Sequence, residues 1–344
     1  MSDTALPAHR HNNFDFVRLF AAGSVLFSHQ FALMGLPEPL VLKYQTLGGF
    51  GVLIFFSLSG YLIAQSWLSD PNLLRFAAKR LLRIWPGLLC TVVLCALVLG
   101  PLVTTVPLRE YFSSPVTASY FGILLLKFQP FLPGVFPTNA IAYAPNGVLW
   151  TIPIEVHCYG YLAFLGILGV FRFKWALLAG LLALSVYYYG IYAAEHRFDS
   201  GQGRLYEVEY ATFFFAGVVL HQFRHQWAAP IRKIMLSAAL GIIAWATVKW
   251  GHQLIAVFLL TPFCVLAFGN GSLPFIRRFG RFGDLSYGVY IYAFPVQQTL
   301  IWWLGVETGV WRLLGMATVA TLVLAFLSWH LVEKRALRLK PRKK

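Results

Sequence analysis

Apolar and polar positions in this chain do not alternate; the apolar ones run together. Stretches near twenty residues, almost free of charge, recur from one end of the sequence to the other. A hydrocarbon layer of ~30 Å asks a helix for about 20 such residues. The runs predict an all-α, polytopic membrane protein with ten spans, over 16–36, 48–67, 81–103, 148–170, 175–193, 207–223, 232–249, 251–269, 284–304 and 309–332. One apolar segment does not fit. Residues 119–133, "SYFGILLLKFQPFLP", are short and broken by Lys127, Pro130 and Pro133. A full span there would invert every later loop, so the segment reads as a re-entrant or interfacial piece of an outer loop covering 104–147.

Charge supplies the orientation. With the N-terminus inside, the inner segments and the tail hold 21 of the 28 Lys and Arg, among them Arg10, Arg18, Arg75, Lys79, Arg80 and Arg83. Lys43, Arg109, Lys127, Arg197, Arg204, Lys249 and Arg312 fall outside or in the odd segment. This bias is the positive-inside rule, and it predicts both termini in the cytoplasm. The composition, 58% hydrophobic and 12% charged, excludes a soluble enzyme of 344 residues. The net charge of +15 needs no nucleic acid; the basic tail, 333–344, is expected on anionic lipid headgroups. The first apolar run is too long for a cleavable signal peptide and serves as an uncleaved anchor. Cys90, Cys95, Cys158 and Cys264 lie in apolar runs without metal-ligand spacing, so no metal is expected. With no repeat and no room for a soluble module, residues 1–344 read as one membrane domain.

Ionisable residues inside lipid are the functional signal. Arg18 and His29 are eleven residues apart in "FDFVRLFAAGSVLFSHQF". Eleven residues make three turns plus ~20°, so both share a face, ~16 Å apart along the axis. Arg18 sits at the inner edge and His29 near mid-membrane. Span four, entering from outside at Gly147, carries Glu155 ~12 Å deep, and span two brings Ser57 and Ser59 near the same level. An imidazole and a carboxylate at one depth suggest a shared polar site. Arg80 and Arg83, three apart on one face with Lys79 and Arg75 beside them, form a basic cluster suited to phosphate. Each feature has a plainer reading: helix–helix hydrogen bonding for His29, a snorkelling Arg18, close packing for the serines beside Gly60, and a topology anchor for the basic cluster.

Together the motifs resemble the acyltransferase family 3 membrane proteins, which include bacterial O-antigen, exopolysaccharide and peptidoglycan O-acetyltransferases. "NNFDFVRLFAAGSVLFSHQF" resembles the family's first helix, "GVLIFFSLSGYLIA" its second, and "RLLRIWPG" its R-x-x-R element. "NGVLWTIPIEVHCYGYL" is similar to its Trp-containing helix with an inward glutamate, "GDLSYGVYIYAFPVQQ" to its Ser-Tyr helix, and "WHLVEKRAL" to its closing helix with a terminal glutamate. The chain departs from the family at Ala293–Pro295, where many members carry His-Trp-Pro. The resemblance implies an O-acyltransferase, with acetyl-CoA as the expected donor on the cytoplasmic side and a carbohydrate hydroxyl as acceptor outside. It assigns catalysis to His29, Glu155 and Arg18, and donor binding to Arg80, Arg83 and Lys79. Ser57, Tyr61, Trp150 and Tyr287 are candidates to line the substrate path, and Arg18 is a candidate partner of Glu333. Expected partners are membrane lipids, the acceptor and a separate periplasmic protein. The competing classes are a proton-coupled exporter of a polysaccharide or lipid-linked intermediate, and a silent scaffold.

Overall fold

The computed structural model describes residues 12–195 and 203–341. Arg10, Arg197 and the last three tail residues, 342–344, lie outside the described residues, as does most of the outer loop over 194–206. Each predicted stretch is a helix: α1 Phe14–Leu33, α2 Leu47–Ser69, α3 Leu73–Val103, α4 Val148–Ile167, α5 Lys174–Glu195, α6 Gly203–Gln222, α7 Pro230–Lys249, α8 Gln253–Gly269, α9 Ser286–Leu304 and α10 Val310–Leu337. Among the described residues seven are long and apolar enough to cross a membrane, all but α6, α8 and α9. Helix α8 has 17 residues. Helix α6 carries Glu207 and Glu209, and the tyrosines and glutamines of α9 dilute its hydropathy. Among the described residues the one sheet is a two-stranded hairpin, Leu40–Val41 against Gln45–Thr46, on the connection between α1 and α2.

Helix α3 begins eight residues before the predicted span. The Asn72 side chain caps it by accepting from Arg75 N at 3.0 Å. The basic stretch then continues the helix out of the apolar run, and 31 residues reach ~46 Å, longer than the hydrocarbon is thick. Two helices contain π segments, Leu94–Leu99 in α3 and Trp329–Glu333 in α10.

Small residues set the tightest packing. A Cβ on Gly60 of α2 would fall 1.8 Å from the Phe214 carbonyl oxygen of α6, and one on Gly217 of α6 would fall 2.1 Å from the Ser57 carbonyl oxygen of α2. The two backbones touch at reciprocal glycines, as membrane helices do when side chains are absent from the seam. The periphery is the reverse of a soluble surface: Ile234, Met235, Ile242 and Trp245 of α7 all point outward. The chain is a multi-pass membrane protein.

The loop over 104–147 folds back into the bundle. Its apolar helical part is short, Pro115–Leu125, and ends at Leu126 in a left-handed conformation (φ 63°). The following irregular chain buries Leu132, Val135, Phe136, Ala144 and Asn146. Amides tie it to α9. Asn146 Nδ2 donates to the Ile291 carbonyl at 2.9 Å, and Gln298 Nε2 donates to the carbonyls of Ile141 and Ala144 at 2.8 and 3.0 Å. Irregular backbone at membrane depth is tolerated where protein surrounds it.

Candidate active site

Helices α1, α2, α3, α4 and α9 enclose a cavity of about 130 Å³. Arg18, Arg80 and Arg83 line it, facing Ser59, Glu155, Tyr159 and Tyr287, with Val52, Phe55, Phe56 and Tyr290 among its walls. The 3.6-residue repeat of α3 turns Arg80 and Arg83 to one side.

The three arginines are held differently. Arg83 Nη2 donates to Asp284 Oδ2 at 2.7 Å, its Nη1 lies 3.7 Å from Glu333 Oε2, and its guanidinium sits 5.6 Å from the centre of the Tyr287 ring. Arg18 Nη1 reaches the same Asp284 oxygen at 3.3 Å and Asp15 at 3.6 Å. Arg18 and Glu333 are therefore not partners, contrary to the sequence expectation; Asp284 holds Arg18, and Glu333 faces Arg83. Arg80 forms no ion pair among the described residues. Its Nε is buried without a hydrogen-bond partner, its Nη2 makes only a long contact with Ser66 (3.5 Å), and it rests over Phe76 at 5.7 Å. A desolvated cation of this kind is open to an anion.

Glu155 accepts from the Ser59 hydroxyl at 3.1 Å and from Tyr159, and Ser59 and Tyr159 are themselves 3.1 Å apart. A half-buried carboxylate is thus held by two hydroxyls in the same cavity that the arginines line. Tyr287 donates to the Ile84 carbonyl at 2.8 Å, binding α9 to α3 at the cavity wall.

His29 lies beyond the Tyr290 end of this cavity and does not line it. Its ring meets Phe294 edge-on, centroids 5.7 Å apart, and its Nδ1 is enclosed without a partner. Phe294 follows the wall residue Tyr290 by one turn of α9, ~6 Å. Phe294 also marks a level: a Cβ on Gly147 would stand 2.9 Å from its ring. The start of α4 is therefore at the depth of His29, and Glu155, eight residues on, is ~12 Å further in. The expected common depth of His29 and Glu155 is not observed. That expectation put Gly147 at a membrane face, whereas the buried loop packs Gly147 against Phe294 inside the bundle. Next to His29, Ser28 donates to Glu38 at 2.5 Å. Burial raises the Glu38 carboxyl above its ordinary range, and the Ser28 bond offsets part of the rise.

The remaining predicted residues fall elsewhere. Lys79 bonds Asp70 at 2.8 Å, beside Arg75 at 2.6 Å, away from the cavity. Ser57 is fully buried and donates to the Leu53 carbonyl at 2.8 Å. Tyr61 turns to Asn270 at 3.2 Å and His221, and Trp150 packs on Tyr206 and Tyr210. Tyr287 does line the cavity. Sequence reading left Asp284 and Tyr159 unassigned. The available signal was arithmetic: 13 acidic residues, of which few lie next to spans that carry arginines.

The family model described as an acyltransferase domain matches residues 11–330. The chain is 34% identical, over 96% of its length and 97% of the relative's, to an O-acetyl transferase of Shigella phage Sf6. It is 32% identical, over 96% and 94% of the two chains, to Nodulation protein 10 of Rhizobium leguminosarum bv. viciae. No solved structure matches.

Proposed function

The chain belongs to this acyltransferase family, and is thus an enzyme that transfers acyl groups; from that premise we propose that it moves an acetyl group from cytoplasmic acetyl-CoA to a hydroxyl of an extracytoplasmic carbohydrate. The observation that carries the reading is Arg80, a half-buried cation with an enclosed, unpartnered Nε and no ion pair among the described residues, at one end of a cavity whose other end stops about one helix turn short of His29. In this reading Arg80 takes the donor's phosphates, with Arg83 and Arg18 adding field, and the thioester points outward along the cavity. Lys79 serves the Asp70 clamp rather than the donor.

The chemistry follows. His29 accepts the proton of the acceptor hydroxyl as the oxygen attacks the thioester carbonyl. The C–S bond breaks, and the departing thiolate takes up a proton. Alternatively the imidazole attacks first and carries the acyl group to the alcohol. Glu155, held by Ser59 and Tyr159, fixes the polar lining through which the thioester passes. All ten helices cross, both termini are cytoplasmic, residues 1–344 form one membrane domain in a bacterial inner membrane, and the loop 104–147 meets the acceptor and any periplasmic partner. Nothing in the site favours proton-coupled export.

The test uses purified protein and labelled acetyl-CoA. His29→Ala should abolish transfer to cell-surface glycan with normal protein abundance, and Arg80→Ala should raise the donor KM by about tenfold or more, the scale of one charge-assisted contact. Full transfer by the His29 variant would refute the assignment.

A further inference from the structure

Arg18 and Arg83 come from helices distant in sequence, yet they converge on a single oxygen. Asp284 Oδ2 accepts from Arg83 at 2.7 Å and from Arg18 at 3.3 Å. Its other oxygen, Oδ1, accepts from the Ser286 hydroxyl at 2.5 Å. Donors from α1, α3 and α9 thus engage one carboxylate. Asp284 does not line the cavity; Arg18, Arg83 and Ser286 do. The acid stands behind the arginines rather than among them. Tyr287, next along the chain, bonds the Ile84 carbonyl and lies under Arg83, so the short run from Asp284 to Tyr287 joins the start of α9 to both basic helices. On the far side of Arg83 the π segment of α10 brings in Glu333, whose Oε1 accepts from Ser328 at 3.0 Å.

We propose that Asp284 is a positioning residue for acyl transfer: its carboxylate holds Arg18 and Arg83 from behind, so that α1 and α3 present one preformed mouth to the donor's phosphates. The proposal rests on the donor reading of the cavity given above. Sign separates this role from that of a bare counter-ion. As a charge alone, Asp284 repels an anionic donor and competes with it for the guanidiniums, and removing the charge would tighten binding. As a positioning group, its loss frees two long side chains that binding must then order, and the donor binds more weakly.

The experiment measures acetyl-CoA binding to the purified full chain in lipid nanodiscs, with inorganic pyrophosphate as a competing probe. Asp284→Asn should raise the Kd for acetyl-CoA about tenfold, the scale of one charge-assisted contact, and narrow the preference for acetyl-CoA over pyrophosphate. Asp284→Glu, which restores the carboxylate, should recover most of the loss. An unchanged or lowered Kd in folded Asp284→Asn protein overturns the proposal, as does an Asp284→Glu variant no better than Asp284→Asn. If Asp284→Asn does not fold, Ser286→Ala decides: releasing one carboxylate oxygen should raise the Kd roughly threefold, and no change overturns the proposal. Arg80→Ala is the control for the underlying reading. If the wild type does not bind acetyl-CoA, or Arg80→Ala binds it equally well, the donor reading and this proposal fall together. If Arg80→Ala weakens binding and Asp284→Asn does not, the positioning role falls alone.

Discussion

Arg80 and Arg83 are three residues apart on one face, yet their surroundings make them different tools. Arg83 is bracketed by Asp284 and Glu333, whereas Arg80 has no ion pair among the described residues and an enclosed, unpartnered Nε. The spacing was legible in the sequence. The division of labour was not, because it depends on acids more than two hundred residues further along. Glu155 was legible as a carboxylate that must have partners, and Ser59 was among the polar residues expected near it, but nothing in the sequence marked Tyr159. Replacing Ser59 by Ala removes one of two hydroxyls on Glu155 and should lower transfer only a few-fold, about 1 kcal/mol for one hydrogen bond. Tyr159→Phe together with Ser59→Ala leaves the carboxylate bare and should lose much more than the product of the single changes, measured as kcat/KM in a double-mutant cycle. A residue outside the membrane offers a pH test. Hydrogen bonds from Arg75 and Lys79 hold the Asp70 carboxyl well below its ordinary range. Such a group stabilises the fold above its unfolded-state pKa, and the contribution is lost only as pH falls through the lower folded-state value. The Asp70→Asn variant should therefore show a lowered melting temperature by the same amount at pH 5 and pH 8, and the difference from wild type should shrink only in strong acid.

At the scale of elements, apolar run length predicted every long helix, since a bilayer leaves backbone polar groups no other partner than the helix itself. Ends were less legible where polarity and helicity part company. The start of α3 at Leu73 depends on the Asn72 cap, which a hydropathy reading of the basic stretch passes over. Helix contacts were visible only at glycines. Gly60→Ala should destabilise the α2–α6 seam by about 2 kcal/mol or more, since the new methyl group has backbone and not a flexible side chain in its way. Gly180→Ala and Gly315→Ala, which meet nothing within 4 Å, should be neutral or slightly stabilising. Thermal unfolding in detergent by tryptophan fluorescence checks both. The outer loop carries a further expectation. Gln298→Ala removes its amide ties to Ile141 and Ala144. A cysteine placed at the buried Ala144, in a chain without its native cysteines, should react with an impermeant maleimide only after that change.

For the whole molecule, composition implied a membrane protein with an apolar periphery, and the outward-facing Ile234, Met235, Ile242 and Trp245 agree with it. What no run of residues discloses is the order in which helices pack. The cavity needs α1, α2, α3, α4 and α9 together, and the depth of Glu155 relative to His29 turned on how far an irregular loop descends. Reporter fusions after α10 should read as cytoplasmic, and fusions within 104–147 as external; the opposite pattern at either place would break the ten-span arrangement.

That descending loop changes what the enzyme must accomplish. With Gly147 at the level of His29, the part of the bundle beyond the imidazole is filled by the buried chain of residues 132–146 and not by lipid. The septum between compartments is then only as thick as the stretch between the imidazole and the basic cavity. On the proposed reading, a group handed across that septum travels a fraction of the bilayer, and neither donor nor acceptor has to leave its own side.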